Sequence, residues 1–389
     1  MNIVVFQPDW GTAAPYVIES YVKAFRFLGH KVSSVSLKEL ADQSFVVNKI
    51  KSFSPDLSVF YALPLNQTNI LEKLDALGIA YVSLFYDDPF IYLQQFGKDK
   101  LDLLKKSKWY CIFCSDTDYL QDLRKFGFLR VEYLPLAVDT DLFYPINAFS
   151  GCLEKFKCNL AFAGSVDTAP LAMRKNRMKR WQKFAVLNNR INELTDPENI
   201  IDAETLRREL NFLKTQMPWD IYAVFCRTVY EEVSSFLRIH LINAVSCGEI
   251  NVYGNQGWLN LNNEYVVYKG TIDYKNELCC LYNAAAINLN ITSPQLRTAV
   301  NQRVYDVCAC SGFVLTDFRN DLSRLFGDLI VSYKNRNDLN SKIDYFLKHK
   351  QERDERAQKA RQKVLAEHTY QHRAKVLIDA VSSNVIGLA

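Results

Sequence analysis

The residues best suited to chemistry lie between Ile287 and Phe318, INLNITSPQLRTAVNQRVYDVCACSGFVLTDF. The run reads as a buried strand, a polar loop, a helix carrying Arg303 and Asp306, a small-residue turn and a second buried strand. Such a unit can hold phosphate and ribose together, because donors at the loop and helix start are followed by a cation and, one turn on, by a carboxylate. Arg303 and Asp306 are three apart and share a helix face. A plain intrahelical ion pair has the same spacing. The position just after a strand and a hydroxyl-rich loop favours ligand binding, with Asp306 accepting from ribose hydroxyls and Arg303 neutralising diphosphate. Thr298 and Asn301 are neighbouring candidates.

In open α/β sheets ligands bind beyond the carboxyl ends of the strands, so the loops after strands are the places to search. In the first part of the chain these are Gln7–Thr12, which contains Asp9, and Tyr86-Asp87-Asp88-Pro89. In the second part they are Gly164-Ser165-Val166, Gly254–Trp258, Asn290–Ser293 and Thr316-Asp317. Gly164-Ser165 is a tight turn where backbone can approach a phosphate, with Arg174 downstream to swing toward it. Gly254, Asn290 and Thr292 complete the donor-side set. Asp87, Asp88 and Asp9 are the candidate acceptor-side carboxylates, although an Asp at a strand end also caps the turn ahead of a proline. Asp87 and Asp88 lack the spacer of a metal-binding DxD, so no metal site is expected.

Other constellations read as structural. Cys111-x-x-Cys114 has no second pair at ligand spacing. His368 and His372 are four apart without an HExxH pattern, and no G-x-S-x-G elbow occurs. Residues 174–183, RKNRMKRWQK, are basic, with Leu171, Met178, Trp181 and Ala185 along one helical face. A solvated surface helix explains this; peripheral contact of 171–185 with an anionic membrane is the functional reading.

These residues need elements to position them. Strand-like runs at Ile3–Phe6, Lys31–Val35, Leu57–Tyr61, Ala80–Phe85, Trp109–Cys114 and Val131–Tyr133 alternate with amphipathic helical stretches. Gly29, Gly78 and Gly127 each follow a helix. The alternation predicts parallel sheets covered by helices on both faces. Pro145, Asn147, Ser150 and Gly151 break the pattern, and a second sheet follows: Asn159–Ala163, Ile250–Tyr253, Tyr265–Val267, Ala285–Asn290, Phe313–Thr316 and Leu329–Val331. We expect a first Rossmann-like domain over 1–150 and a nucleotide-binding one over 151–370. The second carries a helical insertion at about 170–245, and a helix over 371–389 returns across the junction.

Composition agrees with that architecture. At 389 residues the chain suits two domains, and 49% hydrophobic with 23% charged residues is an ordinary globular balance. A formal charge of +4 does not mark a nucleic-acid binder. The ten cysteines fall largely in apolar patterns, as reduced thiols of a cytoplasmic protein do. The opening NIVVF run reads as a strand rather than a signal peptide, and no apolar stretch approaches the roughly 20 residues of a membrane span.

Four segments carry a resemblance: FYDDP with VEYLPLAVDTDLFYP, NLAFAGS, INVYGNQGW, and INLNITSPQLRTAVNQRVYDVCACSGFVLTD together with HTYQHR. Together they resemble GT-B glycosyltransferases, specifically the spore-maturation (CgeB-like) family. The resemblance implies two Rossmann-like domains facing a cleft. It implies a nucleotide-sugar donor on the second domain, most naturally a UDP-sugar, and a protein, polysaccharide or lipid-linked acceptor on the first, with no metal or other cofactor. Asp306 takes the place of the acidic residue, usually Glu, that holds donor ribose, and Arg303 serves the diphosphate. An inverting reaction needs a base, for which Asp88, Asp87 and Asp9 are the candidates; a retaining one needs none. The chain departs from the family at the Cys310-Ser311-Gly312 turn, where Ser replaces a usual Gly, and it lacks the paired-glutamate signature of larger GT-B groups. The competing readings are a non-catalytic scaffold of the same fold that binds nucleotide or glycan, and a nucleotide-sugar epimerase.

Overall fold

The computed structural model describes residues 1–8, 13–36, 39, 42–63, 69–93, 95–147, 150–166, 219–261 and 263–383. Asp9, Arg174, the basic stretch 171–185 and most of the block expected at 170–245 lie outside the described residues. The chain divides into two compact units, Met1–Asp139 with Ala366–Ala389, and Thr140–Leu365. The sequence reading placed these divisions at 150 and 370.

Unit 1 holds six strands: β1 Asn2–Gln7, β2 Lys31–Ser36, β3 Leu57–Tyr61, β4 Ala80–Phe85, β5 Tyr110–Cys114 and β6 Val131–Tyr133. All pairings are parallel, in the order β2-β1-β3-β4-β5-β6. Every residue of β4 and β5 is buried, as befits central strands covered on both faces. Cys111 and Cys114 lie within β5; three apart on a strand, they point to opposite faces and cannot share a metal. The helix Thr117–Phe126 shows how local chemistry sets an element's limits. Asp116 accepts the Asp118 N–H at its start, and Gly127, at φ +109°, closes it in the left-handed conformation a side chain would resist.

Unit 2 also has six strands: β7 Cys158–Ala163, β8 Ile250–Tyr253, β9 Val266–Tyr268, β10 Ala285–Asn290, β11 Val314–Asp317 and β12 Val331–Tyr333. They run parallel in the order β12-β11-β10-β7-β8-β9. The twelve strands are those expected, with ends shifted by one or two residues. The core joins Leu160, Phe162, Ile250, Val252, Ile287, Leu289 and Leu315 from the strands to Trp258, Leu339 and Ile343. Strand order reverses at β1/β3 in unit 1 and at β7/β10 in unit 2. In open α/β sheets such reversals are where ligands bind.

The chain's last helix, Tyr370–Ser382, belongs to unit 1, where it packs on the helix Ala14–Phe27. Val138 pairs with Thr369 as a parallel bridge, and Val138 N donates to the His368 carbonyl at 2.9 Å. Arg373, buried, fastens this junction. Its Nε donates to the Pro135 carbonyl at 2.8 Å, Nη2 to the Leu136 carbonyl at 2.9 Å and Nη1 to the Glu367 carbonyl at 2.9 Å. Nη2 also meets His368 Nδ1 at 2.8 Å. His372 Nδ1 accepts the Thr369 N–H at 3.3 Å and caps the helix start. The two histidines therefore have separate structural partners.

Two expectations follow. Arg373→Ala leaves buried carbonyls without donors and should lower stability by about 2–4 kcal/mol, read as a shifted urea midpoint. Burial, then the Arg373 charge, hold His372 below its ordinary 6.5. The folded state therefore resists a proton that the unfolded chain accepts, and stability from this residue falls as pH drops from 6.5 toward the depressed value. His372→Asn should flatten that part of the stability profile.

Candidate donor site at the unit 2 switch point

Arg303 lies on the helix Gln302–Ala309, which follows β10, and its guanidinium reaches back over the crevice between β7 and β10. Nη1 donates to Asn290 Oδ1 at 2.7 Å, and Nη2 donates to the Ala163 carbonyl. One cation thus ties together the ends of the two strands between which the order reverses. The guanidinium also stands 5.1 Å from the Phe162 ring centroid, a favourable cation–π contact. Its Nε is buried without a hydrogen-bond partner.

Asn290 is fully buried and makes this aim possible. Its Oδ1 accepts from Arg303 and from Asn301 Nδ2 at 2.9 Å, while its Nδ2 donates to Thr316 Oγ1 at 2.8 Å and Thr292 Oγ1 at 3.2 Å. Thr292 is buried too: its N–H and hydroxyl both donate to Asp317 Oδ1, at 2.9 and 2.8 Å. Arg319 grips the other oxygen of Asp317 and donates to the Leu296 carbonyl at 2.8 Å. Asn290 and Thr292 therefore stand behind the crevice and orient the cation. Arg319, which sequence reading missed, fixes the loop that precedes the helix.

The loop after β7 is held from behind at four successive carbonyls. Ala163 accepts from Arg303, Gly164 from Trp258 Nε1 at 2.7 Å, Ser165 from Arg238 Nη1 at 2.5 Å, and Val166 from Asn255 Nδ2 at 2.6 Å. With its carbonyls so occupied, the loop is fixed in shape before any ligand arrives. Gly254 explains its glycine here: a Cβ would lie 2.2 Å from the Gly164 carbonyl oxygen and 2.8 Å from Trp258 Nε1.

Arg238, on the helix Trp219–Asn243, is the second cation of the crevice. Burial first, and the charge of Arg303 second, push its guanidinium down to about 10. Among the described residues no carboxylate pairs with either arginine. Two partly desolvated like charges side by side are costly until an anion joins them. The sequence signal was an arginine inside the apolar run FLRIHLIN, which the helical block concealed.

Asp306 is buried one turn after Arg303. Its Oδ1 accepts from Gln302 Nε2 at 2.6 Å, and its Oδ2 faces the Tyr274 hydroxyl at 3.4 Å. Ser311, in the turn after this helix, adopts φ +58°, a left-handed conformation that suits glycine better.

In unit 1, Asp88 is buried and its Oδ1 accepts the Phe90 N–H at 2.9 Å, capping the turn into the helix Pro89–Leu93. Asp87 is only half-buried, and its Oδ2 accepts from the Tyr92 hydroxyl at 3.2 Å. A cavity of about 760 Å³ lies at the opposite edge of this sheet, by the strand starts, against Met1, Asp56, Ala80 and Trp109. No helix among the described residues is long and apolar enough to cross a membrane.

Gly254→Ala tests the loop packing. The added carbon must part the Gly254 and Gly164 loops, at a cost of about 1–3 kcal/mol. An unchanged urea midpoint would show that the two loops do not touch.

Residues 236–379 match a family described as glycosyl transferase-like. An uncharacterized protein of Aquifex aeolicus (strain VF5) is 20% identical over 410 aligned positions, covering 98% of this chain and 96% of the relative. Among solved structures, sucrose-phosphate synthase of Thermosynechococcus elongatus superposes with a TM-score of 0.59 at 10% identity, over 98% of both chains. An alpha-glucosyltransferase in complex with UDP and a 13-mer DNA gives 0.59 at 12% identity, over 98% of this chain and 99% of that one. Anabaena HepE in complex with UDP gives 0.52 at 9% identity, over 98% and 99%. Its C-terminal region thus matches a glycosyl transferase-like family, and with its two parallel six-stranded sheets the chain has the GT-B fold.

Proposed function

We propose that this enzyme moves a sugar from a UDP-sugar to a protein, polysaccharide or lipid-linked acceptor, with Arg303 and Arg238 in place of a metal ion at the diphosphate. One observation carries the reading. Two guanidinium groups stand together at the β7/β10 switch point, each anchored on neutral oxygens rather than on a carboxylate. The UDP complexes of the alpha-glucosyltransferase and of Anabaena HepE support the choice of nucleotide. The segments quoted for the spore-maturation family support that subfamily.

The chemistry follows from where charge develops. Cleaving the bond between the anomeric carbon and the diphosphate leaves an extra negative charge on the phosphate oxygens. Cations already fixed in a partly dry crevice stabilise that charge without having to reorganise. Arg303 is fixed by Asn290 and Ala163, and Arg238 by Ser165, so both meet the requirement. The Gly164-Ser165 backbone gives the phosphates close approach. Asp306 receives the ribose hydroxyls, which replace the long Tyr274 contact while Gln302 keeps its short one. On the acceptor side Asp88 is committed to its cap, and Asp87 is the more accessible carboxylate.

Calorimetry with UDP, GDP, dTDP and CMP on the full chain, with and without EDTA, tests this. UDP should bind in EDTA, and Arg303→Ala or Arg238→Ala should each weaken it by about 10–100-fold, as losing a charge-assisted contact does. Asp306→Ala should weaken UDP more than inorganic diphosphate. Folded protein that binds no nucleotide, or arginine variants that bind UDP normally, would overturn the reading.

A further inference from the structure

We propose that Cys279 and Cys310 form a reversible thiol–disulfide pair, closed by a hydroperoxide, that sets the position of the helix carrying Arg303 and Asp306. The inference rests on the proposed function only in naming UDP as one of its readouts.

Four thiols gather where three short elements of unit 2 meet. Cys152 lies on the helix Gly151–Phe156, Cys279 and Cys280 on the helix Leu278–Ala284, and Cys310 at the end of the helix Gln302–Ala309. The sulfurs of Cys279 and Cys310 stand 3.7 Å apart. A disulfide bond is about 2 Å long, so a small approach joins them. In a protein with otherwise reduced thiols, such a bond acts as a transient, redox-sensing one.

The pair is asymmetric, and its surroundings decide which sulfur attacks. Cys279 Sγ faces two donors, the Cys310 thiol and, at 3.6 Å, Asn283 Nδ2. Donors favour the thiolate. The Cys310 hydrogen bond outweighs burial and holds the Cys279 thiol down at about 7. Burial, then the same contact, push Cys310 well above the usual thiol range, and the Asp306 charge adds to that. Burial likewise pushes up Cys111 and Cys308, as expected of inert core cysteines. Cys280 goes up through burial and its hydrogen bond to Cys152. Glu277, the acid at the start of the Cys279 helix, is paired with Lys155. Cys279 is therefore the nucleophile and Cys310 the partner that keeps its proton. The neutral Cys279 thiol donates to the carbonyl of Tyr144 at 3.4 Å, and Tyr144 is exposed. The sulfur thus lies near the surface, within reach of a molecule as small as hydrogen peroxide.

The thiolate attacks one peroxide oxygen, the O–O bond breaks, and Cys279 becomes a sulfenic acid. The departing hydroxide takes up the proton that Cys279 gave to solvent and leaves as water. Cys310 then attacks the sulfenic sulfur, its proton leaves with the displaced hydroxyl as a second water, and the S–S bond closes. Two electrons have passed from the thiols to the peroxide, and a dithiol returns them. Cys310 does not move alone. Its N–H donates to the Asp306 carbonyl at 3.2 Å, and the Gly312 N–H donates to the Val307 carbonyl at 2.9 Å. Gly312 itself leaves no room for a Cβ beside the Tyr282 carbonyl. Closing the bond therefore draws the end of the helix, Asp306 included, toward Leu278–Ala284.

The test treats the full chain with hydrogen peroxide and maps disulfides by mass spectrometry, which on wild type needs no variant to fold. A Cys279–Cys310 bond should form and reopen with dithiothreitol. Cys310→Ser should stop at a sulfenic acid on Cys279, trapped by dimedone, and Cys279→Ser should give neither product. The rate of oxidation should rise with pH through about 7 and level off below the 9.0 of an ordinary thiol. Amide exchange over residues 302–312 should differ between reduced and oxidised wild type. UDP affinity should fall about tenfold on oxidation, as when one charge-assisted contact is lost. A Cys152–Cys280 bond in its place, dimedone on another cysteine, or unchanged exchange or UDP affinity in protein that holds the bond would overturn the proposal. A wild type that forms the bond and shifts its exchange, yet binds no UDP in either state, would support the pair and refute the donor assignment instead.

Discussion

The switch point of unit 2 depends on the fixing of one partly buried cation. Arg303 reaches across the place where the strand order of unit 2 reverses and binds the end of each flanking strand. Neutral acceptors, a carbonyl and an amide oxygen, hold it. Geometry is thereby set without cancelling the charge, which a carboxylate partner would do. A surface ion pair is worth little, but a desolvated guanidinium held this way keeps its field for whatever enters the crevice. Asn290, Asn301, Thr292, Thr316, Asp317 and Arg319 form one connected set of hydrogen bonds whose combined effect is to aim that group. Such a set is worth its burial only when nearly every member is satisfied.

The same reasoning accounts for the glycines. The β7 loop carries four consecutive carbonyls, engaged by side chains from three separate parts of unit 2. Drawing those donors in requires the Gly254 backbone to lie against the Gly164 carbonyl, closer than any Cβ allows. Gly312 meets the Tyr282 carbonyl in the same manner, 2.5 Å from where its Cβ would stand, and so closes the end of the Arg303 helix. Ser311 beside it adopts φ +58°, a left-handed conformation that suits glycine better. This strained position falls on the turn after the helix and leaves Arg303 and Asp306 in place.

Much of this was legible in the sequence because the signals were local. Buried parallel strands are short apolar runs such as YVSLF and YCIFC, and helices between them end at glycines, so the strand count and both sheets followed from pattern alone. The Arg303–Asp306 spacing was visible for the same reason. Arg238 was not, because its importance comes from touching Ser165, 73 positions earlier in the chain. Nothing in helix periodicity separates an arginine that faces solvent from one that faces a second arginine. Asn290 and Thr292 were read from the sequence as ligand-facing, and their hydrogen bonds to Arg303, Thr316 and Asp317 come from parts of the chain that no local pattern connects. Asp87 and Asp88 are adjacent and chemically alike, and burial, the cap on Phe90 and the Tyr92 hydroxyl tell them apart.

The two motifs that looked least catalytic, LPLAVD and HTYQHR, solve a topological problem. The chain leaves unit 1 after Asp139 and returns at Ala366, so unit 1 is completed by residues made after the whole of unit 2. A returning segment needs an address. It is written in the Val138–Thr369 bridge and in one guanidinium that collects the carbonyls of Pro135, Leu136 and Glu367. Lysine, whose three donors radiate from one nitrogen, could not span these three carbonyls and His368 together as the planar fork does. The exit and the re-entry of the chain are thereby hydrogen-bonded to each other, and the final helix is set against Ala14–Phe27, the helix that follows β1. Tyr370 on that helix touches Tyr21, Tyr21 holds Tyr86, and Tyr86 precedes Asp87. The carboxyl-terminal address thus reaches, through three aromatic residues, the edge of unit 1 that carries Asp87.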